Sequence, residues 1–156
     1  MQLMKKFFLS IDQGTTSTRT VLYDFRFKYI DQEQIEIKQF YPKPGYVEHD
    51  AEEIWEKTYK TFRKLLKKHD LQPAQIISIG ITNQRETVLG WNSKTGKPIG
   101  KAIVWQDRRT SAFCDSLKQK GLEPEINEKT GLLLDPYFSA SKLSWLKNKS
   151  KAQFLS

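Results

Sequence analysis

The segment from Asp12 to Ser17 carries the residue types that phosphate binding requires. Asp12 and Gln13 precede Gly14, and three hydroxyl residues follow at 15–17. Glycine permits a tight turn that brings backbone N–H groups toward an anion, and the hydroxyls could donate to phosphate oxygens. A carboxylate at a strand end could hold hydrated Mg²⁺ beside them. The competing interpretation is a plain hairpin turn whose Thr and Ser residues serve local hydrogen bonds.

Three further polar and aromatic residue groups suit a neutral ligand rich in hydroxyls. Arg85 and Glu86 stand side by side, which gives one donor fork and one pair of acceptor oxygens. Their alternative role is an exposed, self-compensated charge pair that contributes little. The loop WQDRRT at 105–110 places Trp105 among polar residues, although a core tryptophan would fit the same pattern. Tyr137 offers a phenol at a predicted helix entrance.

Two familiar kinds of site are not supported by the sequence. Gly90 and Gly96 with the following lysine resemble a P-loop, but five residues intervene instead of four, and Pro98 replaces the Ser or Thr ligand. The two histidines and the single cysteine do not stand at metal-ligand spacing. Any metal is therefore expected to be held by oxygen atoms.

The size and composition of the chain predict one globular domain over residues 1–156. Of its 156 residues, 38% are hydrophobic and 28% are charged. The net charge of +8 raises the question of nucleic acid, but basic and acidic residues alternate along the chain, so nucleic acid is not expected as a partner. No apolar run approaches the length of about 18 residues that a transmembrane helix requires. One cysteine forms no internal disulfide, and a reducing, cytoplasmic setting is expected.

The first half of the chain is predicted to consist mainly of strands. Strands are expected over 7–11, 19–23 and 29–40, and the PKPG sequence at 42–45 ends the third. Asp50 is a good N-cap for an amphipathic helix that reaches about His69, with Glu53 three residues into it. The isoleucine-rich run at 76–81 is short enough for a buried strand.

The second half continues the alternation of strands and turns, then changes to helices. Strands are expected over 87–91 and 102–105, with a turn at 92–98 between them. Thr110 could cap a helix that ends at Gly121, and Ser139 or Ser141 could begin another. This order predicts an α/β or α+β domain with a mixed sheet flanked by helices.

Five spaced motifs, taken together, resemble those of the glycerol kinases, within the carbohydrate kinase family. They are DQGTTSTR at 12–19, YPKPGYVEHD at 41–50, GITNQRET at 80–87, WQDRRT at 105–110 and DPYFS at 135–139. The resemblance extends from about Phe7 to Trp145, and Tyr46 stands where another aromatic is common. It implies an α/β fold of the ribonuclease H-like, actin-like ATPase type, in the actin-like and hexokinase-like superfamily.

The resemblance also implies a reaction, transfer of the γ-phosphoryl group of ATP to glycerol with Mg²⁺, and a role for each site residue. It implies a magnesium site at Asp12. The phosphates of ATP would be approached by five residues: Gly14, Thr15, Thr16, Ser17 and Arg19. Glycerol would be surrounded by four: Arg85, Glu86, Trp105 and Tyr137.

Part of the family pattern is not found in this sequence. The general base and most of the adenosine pocket are expected in a further, C-terminal domain, so the chain resembles an N-terminal portion and is expected to be inactive alone. A pentulose kinase and a truncated, non-catalytic binding module are the alternatives. The complete protein could form a homo-oligomer.

Overall fold

The computed structural model describes residues 5–154, with side chains described as far as residue 149. The strands are β1 (Phe7–Gln13), β2 (Ser17–Asp24), β3 (Tyr29–Glu36), β4 (Glu48–His49), β5 (Ile76–Thr82) and β6 (Ala102–Ile103). The helices are α1 (Ala51–Lys68), α2 (Ser111–Gln119), α3 (Glu123–Thr130) and α4 (Ser139–Phe154), and a 3₁₀ turn spans Pro73–Gln75. The described chain divides into two compact units, 5–38 with 50–84 and 39–49 with 85–154. The expectation of one domain over 1–156 stays a prediction.

The first unit is built on a four-stranded mixed sheet in the order β3-β2-β1-β5. Antiparallel pairing joins β1 to β2 and β2 to β3, whereas β5 lies parallel to β1. The parallel register sets Asp12 beside Thr82 where both strands end. The predicted mixed sheet is confirmed, and the carboxyl ends of its parallel strands meet at one edge, where α/β proteins commonly bind ligands.

Helix α1 packs on this sheet and closes the core of the first unit. The core residues are Leu9, Leu22, Leu65 and Leu71. Burial of one such leucine contributes about 1.5–3 kcal/mol to folding. Two hydroxyl pairs also join β2 to α1: Thr18 to Thr58 at 3.0 Å and Thr20 to Thr61 at 2.9 Å. These pairs satisfy polar groups that burial would otherwise leave without partners.

The ends of α1 agree with the prediction from the sequence. The carboxylate of Asp50 accepts from the backbone N–H groups of Glu52 and Glu53, at 3.0 and 3.3 Å. Glu53 accepts from the backbone N–H of Lys38 at 3.1 Å and pairs with Lys57. The Glu53 carboxylate therefore links the backbone just after β3 to α1. These two bonds do not make a capping box with Asp50.

Two strand predictions in the first unit need correction. Strand β3 ends at Glu36 and does not reach residue 40, because the backbone N–H of Ile37 bonds to Thr16 O at 2.8 Å beyond the β2 ladder. Strand β5 is not buried: Ile77, Ile79 and Ile81 are 51%, 41% and 73% exposed. These three alternate residues share one face of an edge strand, and that face is open in the described chain.

The second unit contains little regular sheet. Strands β4 and β6 pair antiparallel over two residues each, and Val88 exchanges backbone hydrogen bonds with Ile103. The predicted strand 87–91 is therefore reduced to isolated bridges, and the predicted strand 102–105 shortens to Ala102–Ile103. The reason is the turn at 92–98, which closes through bonds from Asn92 N–H to Lys97 O and from Gly96 N–H to Asn92 O and leaves no continuous ladder on either side.

Three helices complete the second unit. Helix α2 begins after Thr110, as predicted, but the Thr110 hydroxyl makes no capping bond and pairs with Ser141 at 2.9 Å. Helix α3 was not predicted, and it ends at Gly131, whose φ of +72° suits glycine. Helix α4 begins at Ser139, one of the two predicted starts. Among residues 5–154, no helix is both long and apolar enough to span a membrane.

Candidate functional site

The predicted phosphate segment forms a tight turn between β1 and β2. The backbone N–H of Gly14 donates to Ser17 O at 3.0 Å. A Cβ on Gly14 would lie 3.1 Å from that same oxygen, a crowded contact that favours glycine at this position. Thr58 fixes the preceding residue by donating to Gln13 Oε1 at 2.9 Å. The segment is thus both a hairpin turn and a preorganised row of backbone and hydroxyl groups.

Asp12 and Arg19 face each other across β1 and β2 and form an ion pair of 2.6 Å. Both line an open cleft of about 530 Å³, together with Gly80 and Thr82 at the end of β5. Both side chains are about 40% exposed. The Arg19 Nε atom is buried and has no hydrogen-bond partner among the described residues. The cleft therefore offers one carboxylate and one cation with unused donor capacity.

This donor set fits a Mg²⁺ ion bound mainly through a nucleotide. No group of three or more His, Cys, Asp or Glu side chains that could hold a metal occurs in the described part of the chain. Mg²⁺ usually takes one or two carboxylates and completes its shell with waters and phosphate oxygens. Asp12 alone could supply the protein ligand under those conditions.

In the second unit, Glu86 forms the N-terminal cap of α4. Its Oε2 accepts from the backbone N–H of Ser139 at 2.8 Å and from Ser139 Oγ at 2.7 Å. Glu86 has a φ of +57°, an uncommon conformation for a non-glycine residue. Arg85 is exposed and has no ion pair among the described residues, so the two neighbours do not neutralise each other. The interpretation as a self-compensated pair is wrong.

Trp105 and Tyr137 form an aromatic wall in the same unit. Their ring centroids are 5.7 Å apart, edge to face, and both side chains are half-buried. The rings of Phe138 and Tyr137 are also in contact, nearly perpendicular, with centroids 5.1 Å apart. Trp105 is therefore not an ordinary core residue, because part of its surface stays open beside Tyr137.

A buried ion network holds the loop that carries Trp105. Asp107 is 1% exposed and accepts from the backbone N–H of Val47 at 2.7 Å. Arg109 donates to Asp107 and to Glu48, each at 2.8 Å, and its guanidinium lies over Trp145. Burial disfavours the charged guanidinium, but these two carboxylates outweigh it and raise the pKa of Arg109. The network fixes the backbone on which Trp105 stands.

A buried cation supports the turn that carries Tyr137, and the sequence reasoning missed it. Lys142 is 0% exposed, and its Nζ donates to the carbonyl oxygens of Pro136, Tyr137 and Phe138. Burial lowers the pKa of Lys142. Its position in the first turn of α4 was the available signal, because the helix dipole disfavours a cation there and another reason for it is required.

Each unit thus brings together one set of predicted residues. The first unit gathers Asp12, Gly14, Thr15, Thr16, Ser17 and Arg19 around the end of β1. The second unit bonds the Glu86 carboxylate to Ser139, two residues after Tyr137, and sets the Tyr137 ring against Trp105. Arg85 precedes Glu86 in the same turn.

The sequence of residues 7–155 matches the N-terminal domain of the FGGY family of carbohydrate kinases. The chain belongs to this family. A glycerol kinase from Sinorhizobium fredii is 56% identical over 143 residues, covering 92% of this chain and 29% of the relative. This chain therefore spans less than a third of the length of that glycerol kinase.

Solved structures agree with the FGGY assignment. A glycerol kinase from Plasmodium falciparum, solved with ADP, superposes with a TM-score of 0.87 at 36% identity and covers 95% of this chain and 30% of its own. A gluconate kinase from Lactobacillus acidophilus gives 0.88 at 28% identity, with 97% and 30% covered. The predicted α/β fold of the actin-like type is confirmed.

Proposed function

We propose that this FGGY chain supplies the N-terminal part of a glycerol kinase, which transfers the γ-phosphoryl group of ATP to a terminal hydroxyl of glycerol. The observation that carries the proposal is a group of side chains in the second unit. Arg85, which has no ion pair among the described residues, and the fixed carboxylate of Glu86 lie in one turn, and Trp105 and Tyr137 form an aromatic wall. Resemblance to two glycerol kinases supports glycerol as the acceptor. The complete protein is that whole kinase.

The acceptor site uses the two kinds of group that glycerol presents. The guanidinium of Arg85 donates to hydroxyl oxygens, and the Oε1 atom of Glu86, which Ser139 leaves unused, accepts from hydroxyl groups. The rings of Trp105 and Tyr137 cover the carbon backbone. Since Glu86 is held at its other oxygen, its orientation is fixed before glycerol binds.

The donor site uses the turn after β1. The N–H groups and hydroxyls of residues 14–17 receive the phosphates of ATP, and Arg19 contributes positive charge. Asp12 would hold Mg²⁺, which when bound neutralises phosphate charge. Asp12 would then exchange part of its contact with Arg19 for the metal, and Arg19 would turn donors toward phosphate oxygens.

Several expectations stay predictions. The general base is not assigned to any residue of this chain, so the chain alone is expected to be inactive. Cytoplasmic localisation, the absence of a nucleic-acid partner and homo-oligomer formation by the complete protein also stay predictions. A kinase for another polyol, such as a pentulose, is the alternative, and the likeness to a gluconate kinase keeps it open.

The Arg85→Ala variant of the complete protein tests the acceptor assignment. Loss of a hydrogen bond from a charged group should weaken glycerol binding by about 1.5–3 kcal/mol, roughly 10-fold to 150-fold, while ATP affinity changes little. Calorimetric titration of each ligand measures both. Arg63→Ala, on the exposed face of α1, is the matched control and should change neither. Equal losses for glycerol and ATP in Arg85→Ala would indicate a structural role for Arg85 and contradict the proposal.

A further inference from the structure

Lys142 is a fully buried amine outside the set of predicted ligand-binding residues. A buried ammonium group loses its water and must recover hydrogen bonds from the protein. Its Nζ finds them on three successive carbonyl groups, with distances of 2.7 Å to Pro136 O and 3.3 Å to Phe138 O and a close contact to Tyr137 O. Three consecutive carbonyls therefore converge on one atom.

This convergence fixes the backbone on both sides of Tyr137. A turn whose carbonyl groups all point to one cation has few alternative conformations, because rotation of any peptide plane removes a charge-assisted bond. A second contact holds the same turn, since the backbone N–H of Tyr137 donates to Asp135 Oδ1 at 2.7 Å. The Tyr137 main chain is thus held at both its N–H and its carbonyl.

The surroundings of Lys142 favour its charged form against burial. Glu86, Asp107 and Asp135 are the acidic side chains that act on it, and each attracts the ammonium group. The buried cation is thus placed among the carboxylates that hold the two loops and the helix end of this site, including the Glu86 carboxylate that caps Ser139.

The geometry points to Lys142 as the residue that positions Tyr137 against Trp105 for acceptor binding. It acts through the turn 136–138 and touches no substrate, so it is a positioning residue. This inference rests on the proposed acceptor site. Without the three bonds, the turn samples other conformations and the aromatic wall loses its edge-to-face arrangement at 5.7 Å.

The complete protein with Lys142→Met, a near match in length without the ammonium group, provides the kinetic test. We expect the KM for the acceptor polyol to rise at least 10-fold, with the KM for ATP within twofold of the wild type. Thr61→Val is the control: it removes a buried hydrogen bond to Thr20 in the first unit and no hydrogen bond to the carbonyls of 136–138. The control should lower the thermal midpoint and leave both KM values unchanged. An unchanged acceptor KM in Lys142→Met, or equal rises for both substrates, would overturn the inference.

Hydrogen exchange of a peptide covering 132–141 gives a readout that needs no activity. Lys142→Met should speed exchange there relative to the wild type and to Thr61→Val. Unchanged exchange would overturn the inference, even if the wild type phosphorylates glycerol and the proposed function stands. If the wild type instead prefers a pentulose, the proposed function fails. The KM for the pentulose and the exchange rates then still decide the role of Lys142. If the methionine variant does not fold, Lys142→Gln takes its place. Glutamine keeps one donor group, so this variant should show smaller changes of the same sign.

Discussion

At the residue scale, the ion pair of Asp12 and Arg19 in the first unit is explained better by chemistry than by stability. Asp12 is the penultimate residue of β1, and its carboxylate lies 2.6 Å from Arg19. Both groups are about 40% exposed, so their mutual attraction is worth only about 0–1 kcal/mol of stability. A contribution to stability therefore does not explain this pair well. A cleft that contains a carboxylate and a guanidinium whose Nε has no partner among the described residues suits a magnesium nucleotide.

Asp12→Asn in the complete protein should reduce turnover at least 10-fold and shift activity to higher magnesium concentration. The amide is nearly isosteric but lacks the negative charge that attracts Mg²⁺. Turnover measured against magnesium concentration checks this, and the thermal midpoint should move little. Asp115→Asn, on an exposed position of α2, is the matched control. Near-normal turnover with unchanged magnesium dependence would remove Asp12 from the site.

The same scale shows which parts of the site are visible in the sequence. Asp12, Gly14 and Arg19 belong to one continuous segment, and the structure brings them together as their spacing suggests. The link from Glu86 to Ser139 joins residues 53 positions apart, and no local pattern reports such a contact. Lys142 was missed because a lysine is assigned to the solvated face by default.

At the element scale, ion pairs fasten the edge strand β3 to α1. Asp31 accepts from Lys68 and from His69 at 2.7 Å each, and Glu33 pairs with Lys64 at 2.6 Å. Hydrogen bonds from Lys68 and then from His69 hold the pKa of Asp31 well below its usual value of 3.8. The pKa of Lys68 is raised in return, first by its bond to Asp31.

Asp31→Asn should therefore reduce stability only above the acid range. A depressed carboxyl pKa contributes stability that is present above the unfolded value near 4 and is lost as the pH falls through the lower folded value. The thermal midpoints of wild type and variant, measured from pH 7 to pH 2, should differ by a steady amount above pH 5, and the gap should narrow as the pH falls below 4 toward the folded value. High salt should narrow the gap at neutral pH. A constant difference across the range would contradict the assignment.

Local signals decided which elements could be predicted. Helix α1 follows from its Asp50 cap and its apolar spacing, both encoded within 20 residues, and the structure confirms it. Strand β5 was predicted, but its exposure depends on its place at the sheet edge and on what covers Ile77, Ile79 and Ile81. The predicted strand at 87–91 failed because its partner β6 has only two paired residues, which the sequence does not reveal.

At the scale of the whole molecule, the chain holds two compact units and spans about 30% of the relatives' length. The first unit carries the residues proposed for phosphates, and the second carries those proposed for glycerol. The choice of acceptor therefore rests on the second unit, where Arg85, Glu86, Trp105 and Tyr137 reside. A larger polyol would need more room beside the aromatic wall and further hydrogen-bond partners.

The measurement that tests the central claim most directly is the acceptor preference of the complete protein. The kcat/KM for glycerol should be compared with those for a pentulose and for gluconate at saturating ATP and magnesium. We expect glycerol to be preferred at least 100-fold over both, with glycerol 3-phosphate as the product. A higher kcat/KM for the pentulose or for gluconate would contradict the assignment of this site to glycerol.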